Sequence, residues 1–236
     1  LPPFSLYLLL FLKVIGAFGF YALYTYYYGN GVLSEDAGSF IREAELINQL
    51  HHDNFKGYCT LLFNLDGHEQ IIEELFANYH YSRFAHPEEW INSTRNVIKV
   101  ISLLLLFSGG SMFFVFVAFS AFSLISLYTF WKAFKQKHAP PFYLVFLFCL
   151  PSLLLWNSSI LREVVGISGL LFLLTGYMLS ALRSKTIFYV LGFLCLLFFK
   201  PIWFLIALFA FLVVLLRKAM RSVKIIWRVS SVIVIL

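Results

Sequence analysis

Long apolar runs flank one extended polar stretch, and this pattern predicts the elements. Residues 6–28 are apolar almost without a break, with Lys13 near the inner end and Tyr21, Tyr24, Tyr26, Tyr27 and Tyr28 crowding the outer end. A run of this length crosses a bilayer core of about 30 Å, and aromatic rings collect at the interface. No Met opens the chain and no small-residue cleavage site follows, so residues 1–28 read as a retained first transmembrane helix with a trimmed start. Residues 29–95 form an outer polar domain of amphipathic helices. Phe40, Ala44, Ile47 and Leu50 recur at helical spacing, and Asp66 with Glu69 reads as a capping box ahead of Ile71, Ile72, Leu75, Phe76 and Tyr79. His86, Pro87, Glu88 and Glu89 suit the first turn of a further helix running into the apolar stretch after Val97.

Residues 96–236 read as the transmembrane bundle, with about five further spans and an incomplete last one. The apolar stretch 97–130 is interrupted at Ser108, Gly109, Gly110 and Ser111, too short for two crossings. It therefore predicts an interfacial or re-entrant helix followed by one crossing, Ser111 to Phe130. Phe142 to Trp156 goes out again, Asn157 to Glu163 forms an outer turn, and Val164 to Leu182 returns. Thr186 to Leu216 reads as a hairpin with Lys200 and Pro201 at its apex, because a single crossing would leave one of two basic clusters outside. The fold class expected is all-α: a polytopic membrane protein with a helical domain after its first span.

Composition sharpens this picture. Of 236 residues, 61% are hydrophobic and 13% charged, against about 25% charged in soluble domains, which excludes an ordinary soluble fold and a disordered chain. Cys59, Cys149 and Cys195 are odd in number and show no metal-ligand spacing. The net charge of +6 is unevenly spread. In residues 29–95 eleven acids face Arg42, Lys56, Arg83 and Arg95, leaving −7; elsewhere fourteen bases face one acid, leaving +13. Short basic loops on one side and an acidic domain on the other follow the positive-inside pattern, so the basic pI does not indicate nucleic acid as a partner.

The rare charges at the outer ends of the helices are the candidate chemistry: Glu35 and Asp36 after the first helix, Arg162 and Glu163 in the outer turn, and Lys200 at the hairpin apex. A charge at bilayer depth costs about 2.5–3.5 kcal/mol, so such residues are functional candidates by default. Lys13 is the one candidate at mid-depth. Structural readings stand beside these. Ser34, Glu35 and Asp36 suit a helix cap, Arg162 and Glu163 suit an ion pair, and Lys200 can snorkel to headgroups.

Tyr26, Tyr27, Tyr28, Gly29, Asn30 and Gly31, followed by Asp36, Ala37 and Phe40, resemble the outer end of the first helix in GT-C glycosyltransferases. Pro151, Ser152, Trp156, Asn157, Ser158, Arg162 and Glu163 resemble a pattern of EpsG-like polysaccharide polymerase relatives, as do the Phe107 to Ser111 break and Lys200 with Pro201. The resemblance implies a bacterial inner-membrane enzyme with its large loop outside. Such an enzyme moves a sugar or glycan from a polyprenyl-phosphate or polyprenyl-diphosphate donor to an acceptor at the outer face. It implies Asp36 or Glu35 as base and Arg162 and Lys200 as phosphate holders, with Glu163 orienting Arg162 or binding a divalent cation as cofactor. Membrane lipid and other membrane subunits are the further partners it allows. Val32 to Glu35 lie between the glycines and Asp36 where the pattern is shorter, and Phe40 stands where Tyr is frequent. A non-catalytic subunit or scaffold of GT-C-like fold is the alternative reading, and a transporter is a third.

Five of the six histidines lie in the outer domain at irregular spacing, which fits solvated loops and no metal motif. Asn92-Ser93-Thr94 and Asn157-Ser158-Ser159 match glycosylation sequons. Gly166, Ser168 and Gly169 suit close helix packing.

Overall fold

A computed structural model describes residues 3–33, 35–77, 82, 84–85, 93–137, 158–214 and 216. Helix α1 runs Pro3–Ala22 and continues as a π-helical turn, Leu23–Tyr27. The polar domain contributes α2 (Glu35–Asp53), α3 (Phe55–Phe63) and α4 (His68–Phe76). Next come α5 (Ser93–Phe107), α6 (Met112–Lys137), α7 (Arg162–Met178), α8 (Leu182–Phe199) and α9 (Pro201–Val214). The described residues are helical or in turns and loops, with no strand among them. Three helical stretches are long and apolar enough to cross a membrane: Tyr7–Tyr27, Met112–Lys135 and Leu182–Phe199.

The pattern of the first helix divides its faces. Tyr7, Phe11, Ile15 and Phe18 are exposed, as suits a lipid-facing stripe, while Lys13, Ala17 and Phe20 turn inward. The Lys13 ammonium donates to Ser123 Oγ at 2.8 Å, near the middle of α6. At that depth an unsatisfied ammonium would be costly, so the bond fixes α1 against α6. The expected break between α5 and α6 is present at Ser108–Ser111, and the turn is closed by Ser111 N–H donating to Ser108 Oγ at 3.1 Å. At 15 residues, about 22 Å, α5 is shorter than a bilayer span.

Helix α7 is sandwiched between α6 and α8. Ser126 Oγ donates to Ser168 Oγ at 3.1 Å on one side. On the other side a Cβ at Gly192 would meet Gly169 O at 2.8 Å, so the glycines let the two backbones touch. The hairpin α8–α9 breaks at Lys200, where Pro201 cannot continue the helical ladder. Its outer stripe, including Ile187, Val190, Ile202 and Phe209, is exposed apolar surface.

The polar domain shares one continuous core with the apolar helices: Phe40, Ala44 and Ile47 of α2 lie in it with Leu61, Ile72, Phe76, the α5 residues Val97, Ile98 and Ile101, and Phe20 of α1, Phe116 of α6 and Val164 of α7. One local expectation fails. Helix α4 starts at His68 with Gly67, at φ 86, as its cap, and Asp66 makes no capping bond. Glu69 instead receives two bonds from Arg95, at 2.7 and 3.3 Å, because a buried guanidinium requires a carboxylate more than a helix end does. Arg95 also donates to the carbonyls of Phe84 and Ala85, and Glu43 accepts from Phe84 N–H at 2.8 Å, so two buried charges fasten this loop. The helix start at His86–Glu89, the span from Phe142 to Trp156, the residues Pro151–Asn157, both sequon asparagines and the final apolar run lie outside the described residues.

Candidate functional site

The site begins with the way α1 ends. The π-helical turn is closed by Tyr28 N–H to Leu23 O at 3.1 Å, and Gly31 N–H returns to Thr25 O at 2.8 Å. Asn30 and Gly31 adopt positive φ, 49° and 94°, and reverse the chain. Gly29 is required there because a Cβ would stand 1.8 Å from Val32 O. A second glycine, Gly38 in the first turn of α2, would place a Cβ 1.9 Å from Leu33 O. Arg42 Nη1 donates to that same Leu33 carbonyl at 3.1 Å. Two glycines and one arginine thus fold the start of α2 back onto the end of α1, carrying Asp36 with it. An acid in the first turn of a helix is favoured by the helix dipole.

The second part comes from α7 and the hairpin apex. Ser158, Ser159 and Ile160 are fully buried, Leu161 is extended at φ −128°, and Glu163 lies in the first turn of α7. Lys200 Nζ reaches Glu163 Oε1 at 2.6 Å. Its stem crosses Gly166, where a Cβ would lie 2.8 Å from Lys200 Cγ, and its ammonium stands 5.7 Å from the Trp203 ring centre. Asn96 Nδ2 donates to Phe198 O at 2.8 Å and ties α5 to this end of α8.

Asp36 and Glu163 share one pocket of about 280 Å³, with Phe20, Tyr24 and Tyr28 as its aromatic residues and Ala37 and Leu161 completing it. Lys200 joins through its pair with Glu163. Arg162 Nη1 donates to Ser93 Oγ at 2.9 Å and Thr94 Oγ1 at 3.2 Å, so it links the starts of α7 and α5. Glu35 opens α2, and its side chain lies outside the described residues. Of the sequence candidates, Asp36, Glu163 and Lys200 therefore come together. Arg162 adjoins them along the chain while its guanidinium holds the α5 hydroxyls.

The sequence reading did not single out Phe20 and placed Tyr24 and Tyr28 only in an interfacial belt. The available signal was the four-residue spacing of Phe20, Tyr24 and Tyr28. It also passed over Ser93 and Thr94, read only as part of a sequon, and Trp203. Gly166 and Gly169 do serve close packing, as expected, and Gly166 additionally makes room for Lys200.

Chemically, the pocket offers carboxylates that can take a proton from a hydroxyl and an ammonium that an incoming anion could share with Glu163. Among the described residues no group of three or more His, Cys, Asp or Glu is arranged to hold a metal ion. A second cavity, of about 250 Å³ and almost wholly apolar, lies between Val14–Tyr21 of α1 and Met112–Val117 of α6. Comparison with protein-family models, curated proteins and solved structures gives no match for this chain.

Proposed function

We propose that the chain is a polytopic membrane glycosyltransferase of GT-C-like architecture. It moves a sugar or glycan from a polyprenyl-phosphate or polyprenyl-diphosphate donor to an acceptor at the outer face of a bacterial inner membrane. The observation that carries this reading is the convergence of Asp36 and Glu163 on one pocket beside the end of α1, with Lys200 of the hairpin apex paired to Glu163. Glu163 and Lys200 are rare charges among apolar helices, and a charge near bilayer depth is costly unless it is used.

In this reading Asp36 takes the proton of the acceptor hydroxyl as its oxygen bonds to the anomeric carbon. The anomeric carbon–oxygen bond breaks, and the lipid phosphate leaves with the electron pair. Lys200 supplies a point charge to that phosphate, shared with Glu163, and Arg162 supplies its planar donor fork from the start of α7. The apolar helices around the pocket keep the lipid part of the donor in the bilayer. A photoactivatable polyprenyl-phosphate sugar analogue tests the placement. Labels mapping to residues 20–40 and 158–166 support it, and labels confined to other segments overturn it.

A further inference from the structure

The aromatic side of the pocket carries an inference about what the carboxylates act upon, and it rests on the transferase reading above. Phe20, Tyr24 and Tyr28 recur every four residues and meet ring to ring, the first pair stacked and the second tilted. The Phe20 and Tyr24 centroids are 4.3 Å apart at 26°, and those of Tyr24 and Tyr28 are 5.4 Å apart at 39°. Phe20 is buried, while Tyr28 ends the ladder with 57% of its surface exposed. The ladder crosses the π-helical turn Leu23–Tyr27, a rare local structure that recurs at functional sites. A membrane-interface belt needs no such register; Tyr26 on the same turn points to open surface at 72% exposure, and Tyr27 sets its ring edge-on to Tyr28, 4.9 Å between centroids.

The pocket is also the right size for one ring. Its volume of about 280 Å³ falls just below the range of about 300–1,000 Å³ usual for drug-sized ligands. A pyranose has an apolar face of C–H groups and a polar rim of hydroxyls. Stacked aromatic rings suit the first, and acceptor-only carboxylates suit the second. We propose that Tyr28, backed by Tyr24, is the platform on which a single pyranose ring stacks, with Asp36 and Glu163 receiving its hydroxyls. Tyr28 is thus a substrate-binding residue of this site, and the stack needs its ring and not its phenol oxygen.

The test uses the full chain in detergent and saturation-transfer NMR with a panel of neutral methyl hexopyranosides and N-acetylhexosaminides. At least one should show contact through its C–H face, with affinity kept by Tyr28→Phe and Tyr28→Trp and lowered about tenfold by Tyr28→Leu. Tyr26→Leu, on the exposed side of the turn, should change nothing. Native-like affinity in Tyr28→Leu, or no contact by any sugar while inorganic phosphate binds, would overturn the assignment. Transfer from a lipid-linked donor, measured on the same preparations, separates the two readings. Transfer without Tyr28-dependent binding overturns this inference alone, while Tyr28-dependent binding without transfer upholds it and removes the enzyme.

Discussion

Replacing Gly38 by alanine tests how Asp36 reaches the pocket. The added methyl would stand 1.9 Å from the Leu33 carbonyl oxygen, and ordinary contact begins near 3.4 Å, so the neighbours must part by about 1.5 Å. Both are backbone, and no side-chain rotation relieves the overlap. A free helical glycine would gain about 1 kcal/mol from the substitution, whereas overpacking of this kind costs about 1–3 kcal/mol. The clash should outweigh the gain by up to about 2 kcal/mol, lowering the unfolding midpoint by up to about 8 °C in a chain of this size. Displacing the turn that carries Asp36 by about 1 Å is enough to cost about a hundredfold in rate. Gly31→Asn separates overlap from backbone strain, because nothing lies within 4 Å of a Cβ there while the φ of 94° strains any side chain. Thermal unfolding in detergent and sugar transfer in membranes read the two effects. A Gly38→Ala chain as stable as native, with transfer intact, would refute the close approach.

Other consequences follow from the polar domain and the α1–α6 contact. Burial, with a smaller contribution from Arg95, lowers the Lys99 pKa from 10.5 to about 8, so the unfolded chain binds more protons between those values and stability rises with pH across that window. Below pH 8 the buried charge costs about 3 kcal/mol, so Lys99→Met should be the more stable chain at pH 7 and lose its lead by pH 10.5; equal gaps at both would contradict this. The Arg95 bond holds the Glu69 carboxyl below its usual value of 4.5, and the stability it contributes is present above that pH and lost as pH falls through the lowered value. Glu69→Gln should remove that step from acid unfolding, and an unchanged profile would count against the pair. Ser123→Ala removes one acceptor of the Lys13 ammonium and should cost about 1.5–3 kcal/mol, while Ser184→Ala on the exposed side of α8 should cost almost nothing in the same melts.

The contrast between what the sequence disclosed and what it hid has a physical basis. The break at Ser108–Ser111 and the hairpin apex at Lys200 were legible, because Gly, Pro and charge interrupt an apolar run locally. The inward turn of Asp36 and Glu163 was legible only as a shared membrane face. Their common pocket depends on Gly29 and Gly38 admitting backbone contacts that spacing does not encode. The Asp66–Glu69 box failed because Arg95, 26 residues away, takes the carboxylate. Arg162 was read with the ligand-holding charges; that its Nη1 also bonds Ser93 and Thr94 was hidden, because they share no local pattern with it. The three aromatic pocket residues were hidden by a chemistry that equally suits an interface, and only the stacked register tells the two apart.

The most direct measurement is transfer of labelled sugar from a lipid-linked donor pool in membranes carrying the native chain, Asp36→Asn, Glu35→Gln or Lys200→Met at matched protein levels. The account predicts transfer that depends on the native chain, falls by about a hundredfold or more in Asp36→Asn, falls less in Lys200→Met and persists in Glu35→Gln. Native-dependent transfer that survives Asp36→Asn would contradict the site, and no transfer above membranes lacking the chain would contradict the enzyme.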